Sequence, residues 1–167
     1  LQLAKISGAR VIAAVGSEQK RKLVEKYNPE LVINYQEENL RETVEAHFGK
    51  RPVNIFYDQV GGQAYDEGVK LLSSEGRALI VGFASGNIPS QLLSYLLVKN
   101  ITIMGVFMIS FEDNDKDYLK SRIELIFEHY RNKRIEPVFE IIDFENIIEY
   151  LDLIGSRKTV GRIVAVK

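Results

Sequence analysis

Cysteine and tryptophan are absent from the 167 residues, histidine occurs twice and proline four times. Without cysteine there is neither a disulfide framework nor a thiolate zinc site, and a reducing setting such as the cytoplasm is expected. A mitochondrial or peroxisomal setting is also compatible, because Leu1 is not a start methionine. Charge of one sign is missing too: 22 basic residues face 23 acidic ones, for a net charge of -1. That balance offers no electrostatic footprint for nucleic acid or an anionic membrane. No apolar run approaches the ~18 residues of a membrane span, and no secretory or Arg-rich transit segment opens the chain. What is present, 46% hydrophobic and 10% aromatic residues, excludes intrinsic disorder.

Leu1-Gln2-Leu3-Ala4-Lys5-Ile6 reads as a helix with no capping residue ahead of it. Helices ordinarily begin on a side chain that satisfies the free N–H groups of the first turn. The expectation is therefore the interior and C-terminal part of a longer polypeptide, with a natural protein trimmed at its terminus as the alternative.

From there strands and helices alternate. Val11–Val15 follows Gly8 as a first strand, and Ser17 caps a polar helix reaching Lys26. Asn28-Pro29 breaks that helix, and Leu31–Asn34 is a second strand. A helix over Glu37 to Phe48 precedes a third strand, Val53–Tyr57. Gly61-Gly62 opens a helix to Leu72; Ala78–Val81 and Ile101–Phe107 are further strands. These runs are continuously apolar, the pattern of strands covered by helices on both faces. Repeated strand–helix units predict an α/β fold with a doubly wound parallel sheet. Lys116 to Asn132 forms a long amphipathic helix with Leu119, Ile123, Ile126 and Tyr130 on one face. Beyond Pro137 the spacing predicts a short extended stretch, a helix capped by Asp143 and ended by Gly155, and a strand over Arg162–Val166.

In such sheets ligands sit at the carboxyl ends of the strands. After the first strand comes Gly16-Ser17-Glu18-Gln19-Lys20. NAD-binding folds place there an acidic residue that bonds the ribose hydroxyls. Here a neutral strand end, free helix N–H groups, a hydroxyl and an ammonium favour a phosphate, pointing to NADP(H) over NAD(H). Tyr35, after the adjacent strand, is placed to close the same pocket. Ser17 also fits a plain helix cap and Lys20 a solvated helix residue, and Glu18 opposes an anion. Small residues recur after the third and fourth strands, in Tyr57-Asp58-Gln59-Val60-Gly61-Gly62 and Gly82-Phe83-Ala84-Ser85-Gly86. Backbone at such turns can approach a ligand closely.

The order of these motifs, from Leu1-Gln2-Leu3-Ala4-Lys5 through Gly8-Ala9-Arg10-Val11-Ile12, Val32-Ile33-Asn34-Tyr35 and the two small-residue loops to Val160-Gly161-Arg162-Ile163-Val164, resembles the C-terminal half of medium-chain dehydrogenase/reductases. Within them it is most similar to the zinc-independent quinone-oxidoreductase branch with its enone and prostaglandin reductases. The resemblance implies a Rossmann-like sheet without its first strand and glycine-rich diphosphate loop. Residues 1–132 would form the nucleotide-binding domain, and 133–167 would complete a catalytic domain. It places Lys20, Tyr35 and Ser17 at the adenosine 2′-phosphate, Gln59, Val60 and Ala84 along the cofactor's middle, and Val106, Phe107 and Met108 at the nicotinamide. Thr159 would approach from the other domain. The implied reaction is hydride transfer from NADPH to a quinone or an α,β-unsaturated carbonyl, with catalytic residues unassigned. The absent strand would lie between the strands ending at Val15 and Tyr57.

The strand over Ile101 to Phe107 is expected at the sheet edge with little charge to protect it, which favours pairing with a second subunit in a two-fold dimer. His47 and His129 lack companions at metal-ligand spacing, so no metal site is expected. Glu112-Asp113-Asn114-Asp115 lacks the glycine and glutamate of a calcium loop. The rival readings are a non-catalytic Rossmann-like module serving dimerisation or protein interaction, and a methyltransferase, which would carry an acidic residue after Val15.

Overall fold

The computed structural model describes residues 1–156 and 158–167, without the side chains of Glu112, Asp113, Asn114 and Lys116. The acidic run weighed as a calcium loop therefore lies largely outside the described side chains. The elements run α1 (Gln2–Ile6), β1 (Ile12–Val15), α2 (Glu18–Glu25), β2 (Leu31–Asn34), α3 (Leu40–Phe48), β3 (Val53–Asp58), α4 (Gly62–Gly68), β4 (Leu72–Ile80), α5 (Leu93–Lys99) and β5 (Thr102–Gly105). They continue with α6 (Met108–Asn114), α7 (Lys116–Arg131), β6 (Phe139–Asp143), α8 (Ile147–Gly155) and β7 (Arg162–Val166). All strand pairings are parallel among the described residues, as strand–helix repeats require.

Among the described residues the strands form three sheets, β1-β2, β3-β4-β5 and β6-β7. Among the described residues β1 pairs with β2 alone, in the register Ile12↔Leu31 to Val15↔Asn34. Among these residues β3 likewise pairs with β4 alone. The interruption thus falls between β1 and β3, the place where the resemblance puts an additional strand.

Apolar burial is concentrated in two clusters. Ile33, Leu40, Val44 and Leu71 join β2 to α3, with Ile12, Leu31, Phe48 and Val53 against them. Tyr65, Val69, Leu72, Ala78 and Ile101 join α4, β4 and the start of β5, with Phe56, Ile80, Tyr95, Leu96 and Ile103 alongside. Each fully buried aliphatic side chain contributes roughly 1.5–3 kcal/mol. These clusters hold the strand ends in place.

Among the described residues, helices cover one face of the β3-β4-β5 sheet, and the other carries exposed side chains. Register places Ile55 beside Arg77, and Tyr57 beside Leu79, which neighbours Met104. That row is open: Ile55 is 59% and Tyr57 60% exposed. The opposite row, Phe56, Ala78, Ile80 and Ile103, packs under α4 and α5. A continuously apolar strand is thus half covered here.

Several boundaries also differ from expectation. β4 begins at Leu72, because Val53 pairs with Leu72 while Ile55 pairs with Arg77. The additional residues form a kink at Glu75, whose φ is +63°. β5 ends at Gly105, since α6 starts at Met108. Helix α3 starts at Leu40 rather than Glu37, because the Asn39 side chain accepts from Glu42 N–H and caps it there. Asp143 makes no side-chain cap bond; a short 3-10 turn, Phe144–Asn146, intervenes before α8. The helix itself ends at Gly155 as expected, with Ser156 at its C-cap.

Candidate functional site

The first corner of the site is built by the β1–α2 turn. Ser17 Oγ accepts the Lys20 N–H at 3.3 Å, so the hydroxyl caps α2 and the lysine rises one turn above it. Tyr35 follows β2, and its N–H bonds to Val15 O at 3.0 Å, which brings the ring back over the turn. A Cβ on Gly16 would stand 2.8 Å from the Tyr35 hydroxyl. The absence of a side chain at Gly16 is therefore what allows Tyr35 to lie there. Ser17, Lys20 and Tyr35 converge on one corner, the first two through the helix cap and the third through the pairing of β2 with β1.

Arg21 is an addition to the expected set. It forms an ion pair with Glu38, and stands 3.4 Å from Glu18. Glu38 in turn accepts from Asn34 N–H at 3.0 Å. Glu18 and Glu38 are thus both paired with one guanidinium, which offsets the charge by which Glu18 would oppose an anion. A cation adjacent to Lys20 and a glutamate three residues past Tyr35 are the signals that the sequence offers for it.

The second part of the site lies at the carboxyl ends of β3, β4 and β5. The loop after β3 (residues 59–61) and the loop after β4 (83–87) are tied together: Ala84 N–H donates to Gln59 O at 3.0 Å, Ser85 N–H to Val60 O at 2.9 Å, and Gly62 N–H to Asn87 O at 3.1 Å. Gly61 adopts φ +71°, and a Cβ there would meet Asn87 O at 2.6 Å. The paired glycines are thus required by the approach of the two loops. Val106 N–H donates to Ile80 O at 2.8 Å, which sets Val106 at the same edge. Phe107 and Met108 follow it at the start of α6 and are largely exposed.

Gln59, Val60, Ala84, Val106, Phe107 and Met108 are therefore gathered at one sheet edge. Thr159 is not joined to them: it leads into β7, and among the described residues the β6-β7 sheet shares no strand pairing with β3-β4-β5. His47 Nδ1 lies 2.8 Å from Thr43 O within its own helix. No group of three or more potential metal ligands occurs among the described residues.

The family pattern described as zinc-binding dehydrogenase matches residues 1–126. The chain belongs to the zinc-binding dehydrogenase family. Mouse quinone oxidoreductase-like protein 2 is 31% identical over 157 residues, covering 93% of this chain and 45% of that protein. Mouse prostaglandin reductase-3 is 25% identical over 178 residues, covering 98% and 47%. The chain thus spans about half the length of the curated relatives it matches. The crystal structure of Escherichia coli quinone oxidoreductase complexed with NADPH superposes with a TM-score of 0.88 at 24% identity, over 99% of this chain and 52% of that one. These likenesses bear out the Rossmann-like α/β fold and the family resemblance carried by the motif order. The metal in the family's name finds no fit here: the chain has no cysteine, and no ligand cluster occurs among the described residues.

Proposed function

We propose that this chain is the NADP(H)-binding part of a quinone-oxidoreductase-like enzyme that transfers hydride from NADPH to a quinone or an α,β-unsaturated carbonyl. The observation that carries the reading is the convergence of Ser17, Lys20 and Tyr35 beside Gly16, where the strand end itself bears no carboxylate to take a ribose hydroxyl. A hydroxyl, an ammonium, a phenol and the capped helix start together suit a phosphate dianion. Residues 59–61 and 84 would support the cofactor's middle, and Val106, Phe107 and Met108 its nicotinamide end. Thr159, in the segment 133–167, would reach the cofactor from the catalytic domain. Bound NADPH supplies the hydride; the residues of this chain bind and orient it. The relatives described as quinone oxidoreductase and prostaglandin reductase support an electron-poor carbonyl or quinone as the acceptor class.

The test is titration of the intact protein with NADPH and NADH. Removing one charge-assisted partner costs about 1.5–3 kcal/mol, so Lys20→Ala should weaken NADPH about 10- to 100-fold and leave NADH nearly unchanged. Equal losses for both nucleotides refute the assignment. Absence of binding to either favours an interaction module instead.

The same reading includes a homodimer. β5 pairs only with β4 among the described residues, leaving its outer edge open. Adjacent to it, α5 exposes Leu93 (80%), Leu97 (82%) and Val98 (78%), an apolar patch of the kind that marks an interface. An edge-to-edge pairing of two β5 strands about a two-fold axis would close one and cover the other.

A further inference from the structure

Asp58 ends β3 and is 2% exposed. Burying a carboxylate is costly unless its oxygens are well bonded. Here Oδ1 accepts from Val60 N–H at 2.9 Å and from Gly61 N–H at 3.1 Å, and Oδ2 shares the latter donor at 3.2 Å. Both donors belong to the loop whose carbonyls, Gln59 O and Val60 O, accept from Ala84 and Ser85. The Asp58 carbonyl itself accepts from Val81 N–H at 2.8 Å. One residue therefore fixes the 59–61 loop from inside and joins it to β4.

We propose that Asp58 is a positioning residue for the cofactor platform: its carboxylate clamps the Val60 and Gly61 amides so that the loops after β3 and β4 form one rigid surface. This rests on the nucleotide-binding reading above. The clamp acts on the cofactor's middle, which NADPH and NADH share, and not on the corner that distinguishes them. Its loss therefore lowers affinity for both nucleotides by one factor and leaves their ratio alone, the opposite of the Lys20 signature.

The experiment compares wild type, Asp58→Ala and Asp58→Asn in the intact protein, reading KM and kcat with each nucleotide and amide hydrogen exchange. Loss of two charge-assisted bonds should raise KM for NADPH and NADH together, about 10- to 100-fold in Asp58→Ala, with a smaller change in kcat at saturation. Asp58→Asn keeps one oxygen for the Val60 and Gly61 amides and should return KM to within about fivefold of wild type. Exchange at Ala84 and Ser85 should rise while Leu79 and Ile80 stay protected. Unchanged KM, a shifted nucleotide preference, or a uniform loss of protection through β3 and β4 would each overturn the proposal. A wild type that binds neither nucleotide overturns the functional reading alone; the clamp is then still decided by exchange at Ala84 and Ser85.

Discussion

Replacing Gly61 with alanine tests the physical basis of the two-loop platform. Gly61 has φ +71° and ψ -161°, a region essentially confined to glycine, where an L side chain costs about 1–3 kcal/mol. Its added Cβ would stand 2.6 Å from Asn87 O, a backbone atom that cannot rotate aside. Asn87 O already accepts from Gly62 N–H, so relief of the clash stretches that bond, worth another ~0.5–1.5 kcal/mol. The sum is about 2–4 kcal/mol, a large part of the ~5–15 kcal/mol that stabilises a domain. Gly86 supplies the internal control. It too has positive φ, +80°, yet a Cβ added there would meet nothing within 4 Å, so Gly86→Ala should cost only about 1–2 kcal/mol of backbone strain. Urea denaturation of both variants gives the comparison from their midpoints at constant m. Equal losses for the two variants, or a Gly61→Ala loss under about 0.5 kcal/mol, would refute the argument from loop contact.

Three other outcomes follow from the packing and charge described. A Cβ on Gly68 would overlap the Phe56 ring, so Gly68→Ala should destabilise by about 1–3 kcal/mol through overpacking, measured by thermal denaturation; Phe56→Leu should recover part of the loss. Burial, assisted by the negative charge of Asp58, holds the Tyr65 phenol above its ordinary pKa of 10.0. The unfolded chain therefore releases that proton first, so this contribution to stability is complete below pH 10 and is lost as pH rises toward the folded-state pKa; Tyr65→Phe should flatten the alkaline limb of a stability–pH curve. Met104→Lys, on the exposed row of the edge strand, should convert a dimer to a monomer in sedimentation velocity, and an unchanged dimer would rule out pairing through β5.

Much of the fold is legible in the sequence because short aliphatic runs bounded by turn residues leave few alternatives: Ile12–Val15, Leu31–Asn34 and Val53–Asp58 lie within a residue of expectation. The start of β4 is hidden, since Ser73-Ser74-Glu75-Gly76 reads as a turn and is in fact a kink within a strand. Helix α5 is hidden for another reason. Its residues Leu93-Ser94-Tyr95-Leu96-Leu97-Val98 are apolar on nearly every face, with Tyr95 and Leu96 packed and Leu93, Leu97 and Val98 exposed, so no 3.6-residue stripe marks it. The interruption between β1 and β3 leaves no trace in local pattern, because pairing partners are set by the tertiary fold. At the site, Ser17 is readable as a cap, and Tyr35 as a strand-end residue. Asp58 is not, because its importance depends on the loop after the next strand returning to meet the segment whose amides it holds.

The most direct test of the central claim is a crystal structure of the intact protein grown with NADPH. The account predicts the adenosine 2′-phosphate within hydrogen-bond reach of Ser17, Lys20 and Tyr35, and the nucleotide's middle lying along residues 59–61 and 84. A nucleotide bound elsewhere, or with its 2′-phosphate turned away from Lys20 and Tyr35, would contradict it.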